Sequence, residues 1–537
     1  MADVGHVLLA LAFFVAAASA VTAVVWRHDD ARVTLARRGV YLVWVLLFTC
    51  IIFIEIAFAT NQFSFKIVAE HSSRETPIFY KLAAMWSSQE GSLLLWSFVL
   101  ATCASLALYS TRHKLREIVP WANAVMMAVG AFFIGLMLFA SDVNPFTTYP
   151  ADQVPRDGIG LEPLLQHPSM MIHPPMLYSG YVAWTIPFAF AIGALITRRV
   201  DAEWLRATRR FALIAWTFLG FGLLLGARWS YSELGWGGYW AWDPVENAAL
   251  MPFLLGTAFL HSIMVQEKRG MLKVWNASLI IATFVLALLG TFLVRSGVLD
   301  SIHAFGASTI GTQFLVFIGA VLIGSTALVI SRLPDLRSEA RLDSLLSREA
   351  FFLLNNLVLV GLCLVVFWGT FFPLISEAIT GTKESVGPPW FDRLSVPLAL
   401  VLVALMGIGP IIPWRSITPG FLRRSFVVPL AIAATVAVLL ALFTNADSSL
   451  TAFLMFTFAA FVAGVVGQEF VRGAGARRTM SHESWPVALG RLVGRNRRRF
   501  GGYTVHVGFA LLLVGVAASS AFQTQRDVRL NPGQSTT

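Results

Sequence analysis

Fourteen stretches of almost uninterrupted apolar residues follow one another along this chain, and they leave very few folds open. A helix needs about 20 such residues to cross the hydrocarbon core of a bilayer. The backbone there must satisfy its own hydrogen bonds, so only helices or a closed barrel can span it. Barrel strands alternate apolar and polar residues over about 10 positions, whereas these stretches are longer and apolar all round. The chain therefore reads as all-α, a polytopic integral membrane protein of about fourteen transmembrane helices, at 5–26, 39–60, 92–110, 118–140, 175–197, 211–227, 245–265, 274–294, 312–331, 351–373, 395–414, 425–443, 450–471 and 503–522. Composition agrees: 57% of the 537 residues are apolar and 13% charged, against about 25% charged in a soluble globular chain.

The net charge of +10 would suit a nucleic-acid partner if it formed one surface, but it is split between two sets of connections. Those at 27–38, 111–117, 198–210, 266–273, 332–350, 415–424 and 472–502 hold 30 of the 40 Lys and Arg residues. Cytoplasmic loops carry the excess of Lys and Arg. This set is therefore assigned to the cytoplasm, both termini fall outside, and the basic balance needs no nucleic acid. The first apolar run is preceded by Asp3 and followed by Arg27, the reverse of a secretory signal, and reads as a first span. Cys50, Cys103 and Cys363 all lie in apolar runs with no CxxC or CxxCH, which gives no disulfide framework, zinc site or haem-attachment site.

Four of the ten histidines stand out. His261 lies about four residues before the cytoplasmic end of the seventh span and His506 about three after the start of the fourteenth, which places both roughly 5–6 Å inside the membrane. Ionisable residues at such depths are costly and often functional, and haem iron takes axial imidazole readily. Each is either half of a metal-ligating pair or a neutral histidine bonded to a neighbouring helix. On the outer face, the proline run after His173 places that histidine just ahead of the fifth span, since proline favours a helix's first turn. His303 lies in the short outer loop 295–311.

The outer loop 229–243 holds Trp229, Trp236, Trp240 and Trp242 with Tyr231 and Tyr239. Anchoring at the interface explains one or two tryptophans, not four. Flat aromatic faces suit a flat, apolar, polarisable ligand, and Gly235, Gly237 and Gly238 let backbone approach it closely. An aromatic shelf flanked by His173 and His303 fits a porphyrin. Arg228, beside Trp229, and Arg295, eight residues before His303, are either clamps for propionates, which arginine pairs well with, or helix-end anchors with snorkelling side chains. Asp243, beside Pro244, reads as the cap of the seventh helix rather than an iron ligand. Glu55, in the outer part of the second span, either pairs with a neighbouring helix or takes a proton or quinol.

These residues support a resemblance. WGGYWAWDPVEN resembles the tryptophan-rich "WWD" signature of haem-handling membrane proteins, and GLEPLLQHPSMMIHPPMLYSGY and LVRSGVLDSIHAFG resemble the two outer-histidine segments of the cytochrome c maturation protein F family. SQEGSLLLW is also similar, and the likeness runs from about residue 40 to 530. It implies a haem lyase subunit of the bacterial inner membrane with its active face in the periplasm. His173 and His303 would then ligate an incoming haem on the tryptophan loop, and His261 and His506 the iron of a resident haem b fed with electrons by quinol. The implied partners are a haem chaperone E, the apocytochrome-binding subunits H and I, and apocytochrome c with its CxxCH. The helical membrane core would occupy 1–522. Residues 523–537 would begin an outer segment, which family members continue with a domain and a closing span. A secondary haem transporter, a quinol-oxidising haem b protein without ligation activity, or a paralogue serving one unusual cytochrome are the alternatives.

Overall fold

The computed structural model describes residues 1–536 apart from 235–237, 300, 302–308, 339, 341, 415–416, 525 and 527 and the side chain of residue 141. Among the described residues fourteen helices are long and apolar enough to cross a membrane, one for each expected span. The first seven are α1 (Ala2–Val25), α2 (Asp30–Ala59), α3 (Gln89–Ser110), α4 (Val119–Phe139), α5 (Pro168–Thr197), α6 (Glu203–Glu233) and α7 (Pro244–Arg269). The others are α8 (Lys273–Ser296), α9 (Gly311–Ser331), α10 (Arg348–Thr380), α11 (Pro388–Ile408), α12 (Pro419–Phe443), α13 (Leu450–Ser481) and α14 (Arg497–Phe522). The described residues contain no strand, only one isolated bridge between Phe65 and Thr148.

Several helices run past the apolar stretch that announces them. Side chains stop them rather than the loss of hydrophobicity. Asp29 caps α2 by accepting from Ala31 and Arg32 N–H, and Ser88, Thr418 and Ser449 do the same for α3, α12 and α13, each satisfying an otherwise orphaned donor. α5 is interrupted at Trp184, because Pro187 has no N–H to give the carbonyl of Ala183.

The chain forms two compact units, Met1–Arg341 with Cys363–Phe391, and Leu342–Leu362 with Asp392–Thr537. In the first, Trp96 stacks on Phe133 at 3.5 Å and Phe188 on Phe284 at 4.1 Å, and the free thiols of Cys50 and Cys363 are buried. α5 and α6 pack almost backbone to backbone: a Cβ on Gly180 would lie 2.5 Å from the Leu219 nitrogen. Small residues permit this approach where lipid supplies no hydrophobic drive between helices. The second unit has its own core around Val403, Val462, Phe500 and Tyr503.

Candidate functional site

The α5–α6 contact positions His173. α5 begins at Pro168, with His167 as its N-cap. His173 is therefore inside the helix, in its second turn, and not ahead of it as the proline run suggests. Two prolines are tolerated here because a carbonyl orphaned by Pro174 finds another donor: the Trp86 indole N–H reaches the Met170 oxygen at 3.3 Å. From this position the His173 ring lies against α6. Its Nδ1 is 2.8 Å from the Gly222 carbonyl oxygen, and a Cβ on Gly226 would come within 2.7 Å of its Cε1. A carbonyl can only accept, so Nδ1 carries the proton and Nε2 the lone pair. A hydrogen bond of this kind fixes the tautomer and orientation of metal-binding histidines.

One turn further along, Trp229 is also helical, since α6 continues to Glu233. The loop proper is thus shorter than 229–243. Trp229 is 1% exposed and its indole donates to the Leu164 carbonyl at 2.8 Å, which makes it a tie between α6 and the segment leading into α5. Arg228 is exposed. Arg295, in the last turn of α8, is 2% exposed and does not snorkel. It donates to Ser92 Oγ on α3 at 2.6 Å and to the Thr291 carbonyl at 3.2 Å, and lies 5.7 Å over the Tyr178 ring of α5.

The other end of the tryptophan loop is fixed by α7. Asp243 caps it: Oδ1 accepts from Val245 N–H at 2.8 Å, while Glu246 Oε2 reaches back to Asp243 N–H at 3.2 Å and Ala241 N–H at 2.9 Å. This reciprocal capping box agrees with the structural role read for Asp243. Ser301 also donates to Asp243 Oδ1 at 2.8 Å, which ties the α8–α9 connection to the loop. Trp242 sits at φ +57°, a left-handed conformation costly for a bulky residue. Asn247, fully buried, holds it there by donating to the Trp242 carbonyl at 2.9 Å and to Thr370 Oγ1 of α10 at 3.0 Å. The Trp242 ring stacks on Phe391 at 4.8 Å and meets Trp240 edge-on at 5.8 Å. Tyr239 and Trp240 are half-buried. His303 and Trp236 lie outside the described residues.

His261 and His506 belong to the first and second units respectively. α7 runs on to Arg269 and α14 starts at Arg497, so the two histidines lie about 12 and 14 Å along the helix from those ends. His261 Nδ1 is 2.7 Å from the Thr257 carbonyl on its own helix, so it too carries its lone pair on Nε2. Among the described residues no group of three or more His, Cys, Asp or Glu side chains could hold a metal. Sequence reasoning missed Asn247 as a tether and Ser301, Thr370, Phe391, Gly222 and Gly226 entirely. Gly222 and Gly226 alone carried a local signal, the GxxxG spacing of packed membrane helices.

The family model described as cytochrome C assembly protein matches residues 86–299, which takes in α3 to α8. The chain is 38% identical to the cytochrome c-type biogenesis protein CcmF of Pseudomonas aeruginosa over 99% of its own length and 79% of that protein. It is 37% identical to CcmF of Pseudomonas fluorescens, covering 99% and 78%. A solved structure of "Cytochrome c Heme Lyase CcmF" superposes with a TM-score of 0.76 at 30% identity, covering 97% of this chain and 77% of that one. With this likeness carried along the full set of membrane helices, the chain belongs to the CcmF family of cytochrome c-type biogenesis proteins.

Proposed function

We propose that this protein is the membrane subunit of a cytochrome c haem lyase in the bacterial inner membrane. Its arginine-rich connections face the cytoplasm, and both termini and the tryptophan loop face the periplasm. Residues 1–522 form its membrane core and 523–537 lie outside it. Haem handed over by a periplasmic chaperone is the substrate, and apocytochrome c, brought by the H and I subunits, is the acceptor. His173 and His303 take the iron, Tyr239, Trp240 and Trp242 with Trp236 hold the porphyrin face, and the exposed Arg228 meets a propionate, while the buried Arg295 braces α8 against α3. Asp243 and Trp229 shape the loop. One porphyrin edge stays open, and each cysteine thiol of the acceptor adds across a vinyl double bond, sulfur to one carbon and hydrogen to the other. The protein's part is positioning.

The observation that carries this reading is the His173 ring, whose Nδ1 is held 2.8 Å from the Gly222 carbonyl, which makes Nε2 the atom to take the iron. His261 fits an axial ligand on the same ground. With His506 it would hold a resident haem b, which supplies one-electron chemistry drawn from quinol and keeps the incoming iron reduced.

The test is the reduced-minus-oxidised absorption spectrum of the purified protein and its single His→Ala variants at 173, 261, 303 and 506. Loss of the resident signal at 261 and 506, with loss of captured haem alone at 173 and 303, is expected. A colourless protein from haem-replete cells, as a transporter would give, or four unchanged variants would overturn the proposal.

A further inference from the structure

Of the connections rich in arginine, one folds back into a helix of its own: Trp485–Arg495, between α13 and α14. The described residues of the other six contain no helix besides the ends of the spanning helices themselves. Its depth follows from α13, which starts at Leu450. Gly473 is about 34 Å along that helix at 1.5 Å per residue, past the roughly 30 Å of hydrocarbon. A Cβ on Gly473 would lie 2.8 Å from Leu492 and 3.4 Å from Phe500. The short helix is therefore pressed against α13 at the level of the lipid head groups.

Its apolar face is wider than the protein covers. Ala488 is fully buried, and Leu492 and Val493 pack on the core around Phe500. On the same side of the helix, where residues three and four apart align, Trp485 and Leu489 remain 46% and 41% exposed. Around this face the charge is one-sided, since residues 472–502 hold eight arginines and one acidic residue, Glu483. That carboxylate is already shared, accepting from Arg477 at 2.7 and 2.9 Å and from Arg491 at 2.6 Å. A cavity of about 280 Å³ opens beside the helix, lined by Glu469, Arg472, Asn496 and Arg499 among others. Its only acidic lining residue, Glu469, is paired with Arg499 at 2.5 Å.

We infer that this helix and cavity are a binding site for an anionic phospholipid, with the head-group phosphate among Arg472, Arg495 and Asn496 and the acyl chains along Trp485 and Leu489. An apolar face at head-group depth, flanked by cations, is what an interfacial helix presents to acidic lipid. A free phosphate would use the arginines and leave the apolar side chains without a role.

The probe is phosphatidylglycerol with a dansyl-labelled acyl chain, titrated against the full-length protein in phosphatidylcholine–detergent micelles and read by energy transfer from tryptophan. Saturable binding is expected, well above that of acyl-labelled phosphatidylcholine. Each arginine near a lipid surface accounts for roughly a factor of five. Arg472→Gln with Arg495→Gln should thus weaken binding about twenty-five-fold, and lysine at both positions should restore most of it. Equal titration of the two lipids by the unaltered protein would overturn the inference, whatever the variants do. So would displacement of the lipid by inorganic phosphate but not by sodium chloride at equal ionic strength, which would make this a phosphate site.

Discussion

Asn247→Leu removes the side chain that binds the carbonyl of the left-handed Trp242. The native amide donates to the Trp242 carbonyl at 2.9 Å and to Thr370 Oγ1 at 3.0 Å. Thr370 already donates its own proton to the Val366 carbonyl at 2.7 Å, so the hydroxyl loses little, and the cost falls on the Trp242 carbonyl. Leaving such a group without its partner costs roughly 1–3 kcal/mol. The strain at φ +57° is of similar size, about 1–2 kcal/mol, so it releases once the tether is cut. The open population of the turn should then rise about five- to a hundredfold, since 1.4 kcal/mol is a factor of about ten. Hydrogen exchange read by mass spectrometry on peptides covering 238–247 reports it directly, because the Ala241 and Asp243 amides are bound to Glu246 and open with the turn. Thr370→Val should give a smaller rise. Native exchange rates for that peptide in Asn247→Leu, with or without a drop in overall melting temperature, would refute the reasoning and make Asn247 a packing residue.

The remaining predictions use the same geometry. Gly226→Ala places a carbon 2.7 Å from His173 Cε1, which pushes the ring off the Gly222 carbonyl. Difference spectra should show captured haem lost and any resident signal kept. Arg295→Leu removes the guanidinium hydrogen bonds to Ser92 and the Thr291 carbonyl and should cost roughly 1–3 kcal/mol, seen as a lower melting temperature without haem. Exposed Arg228→Leu should stay within about 0.5 kcal/mol. Glu483 is held down to about 2 from an ordinary 4.5 by its hydrogen bonds from Arg477 and Arg491. Its folded value lies below the unfolded one, so its stabilisation is complete above 4.5 and lost as pH falls from there toward about 2. Trp485 fluorescence, taken as the difference from Trp485→Phe, should be flat from pH 7 to 5 and change only below that.

The number and order of the spans were legible because lipid imposes one requirement on every helix, a continuous apolar length, and the chain meets it fourteen times. Their ends were not, because they are set by caps and by polar residues that go on helically in water. The Ser-Tyr-Ser-Glu run after Trp229 looks like loop yet extends α6 to Glu233. His173 was placed outside its helix because a proline pair normally opens one. The donor that lets it sit inside, Trp86, comes from a helix 84 residues earlier in the chain. The Asp243 cap could be read because its partner Glu246 is three residues away. Thr370 and Phe391, which fix the neighbouring Trp242, come from positions that no local pattern connects to it.

The way Trp242 is held bears on what the loop can do. Asn247 and the capping box act from α7, Ser301 from beyond α8, and Thr370 and Phe391 from more than a hundred residues downstream. A strained turn persists only where its surroundings over-determine it, and here four separate parts of the first unit do so. The rings of Trp240 and Trp242 consequently stand at 88° to one another, just as the His173 ring is oriented by Gly222. A rigid ligand meeting such a surface gives up little further ordering entropy. A mobile loop would have to be ordered by each arriving ligand. The fixed arrangement suits a protein that must hold its substrate in one pose and then let it go.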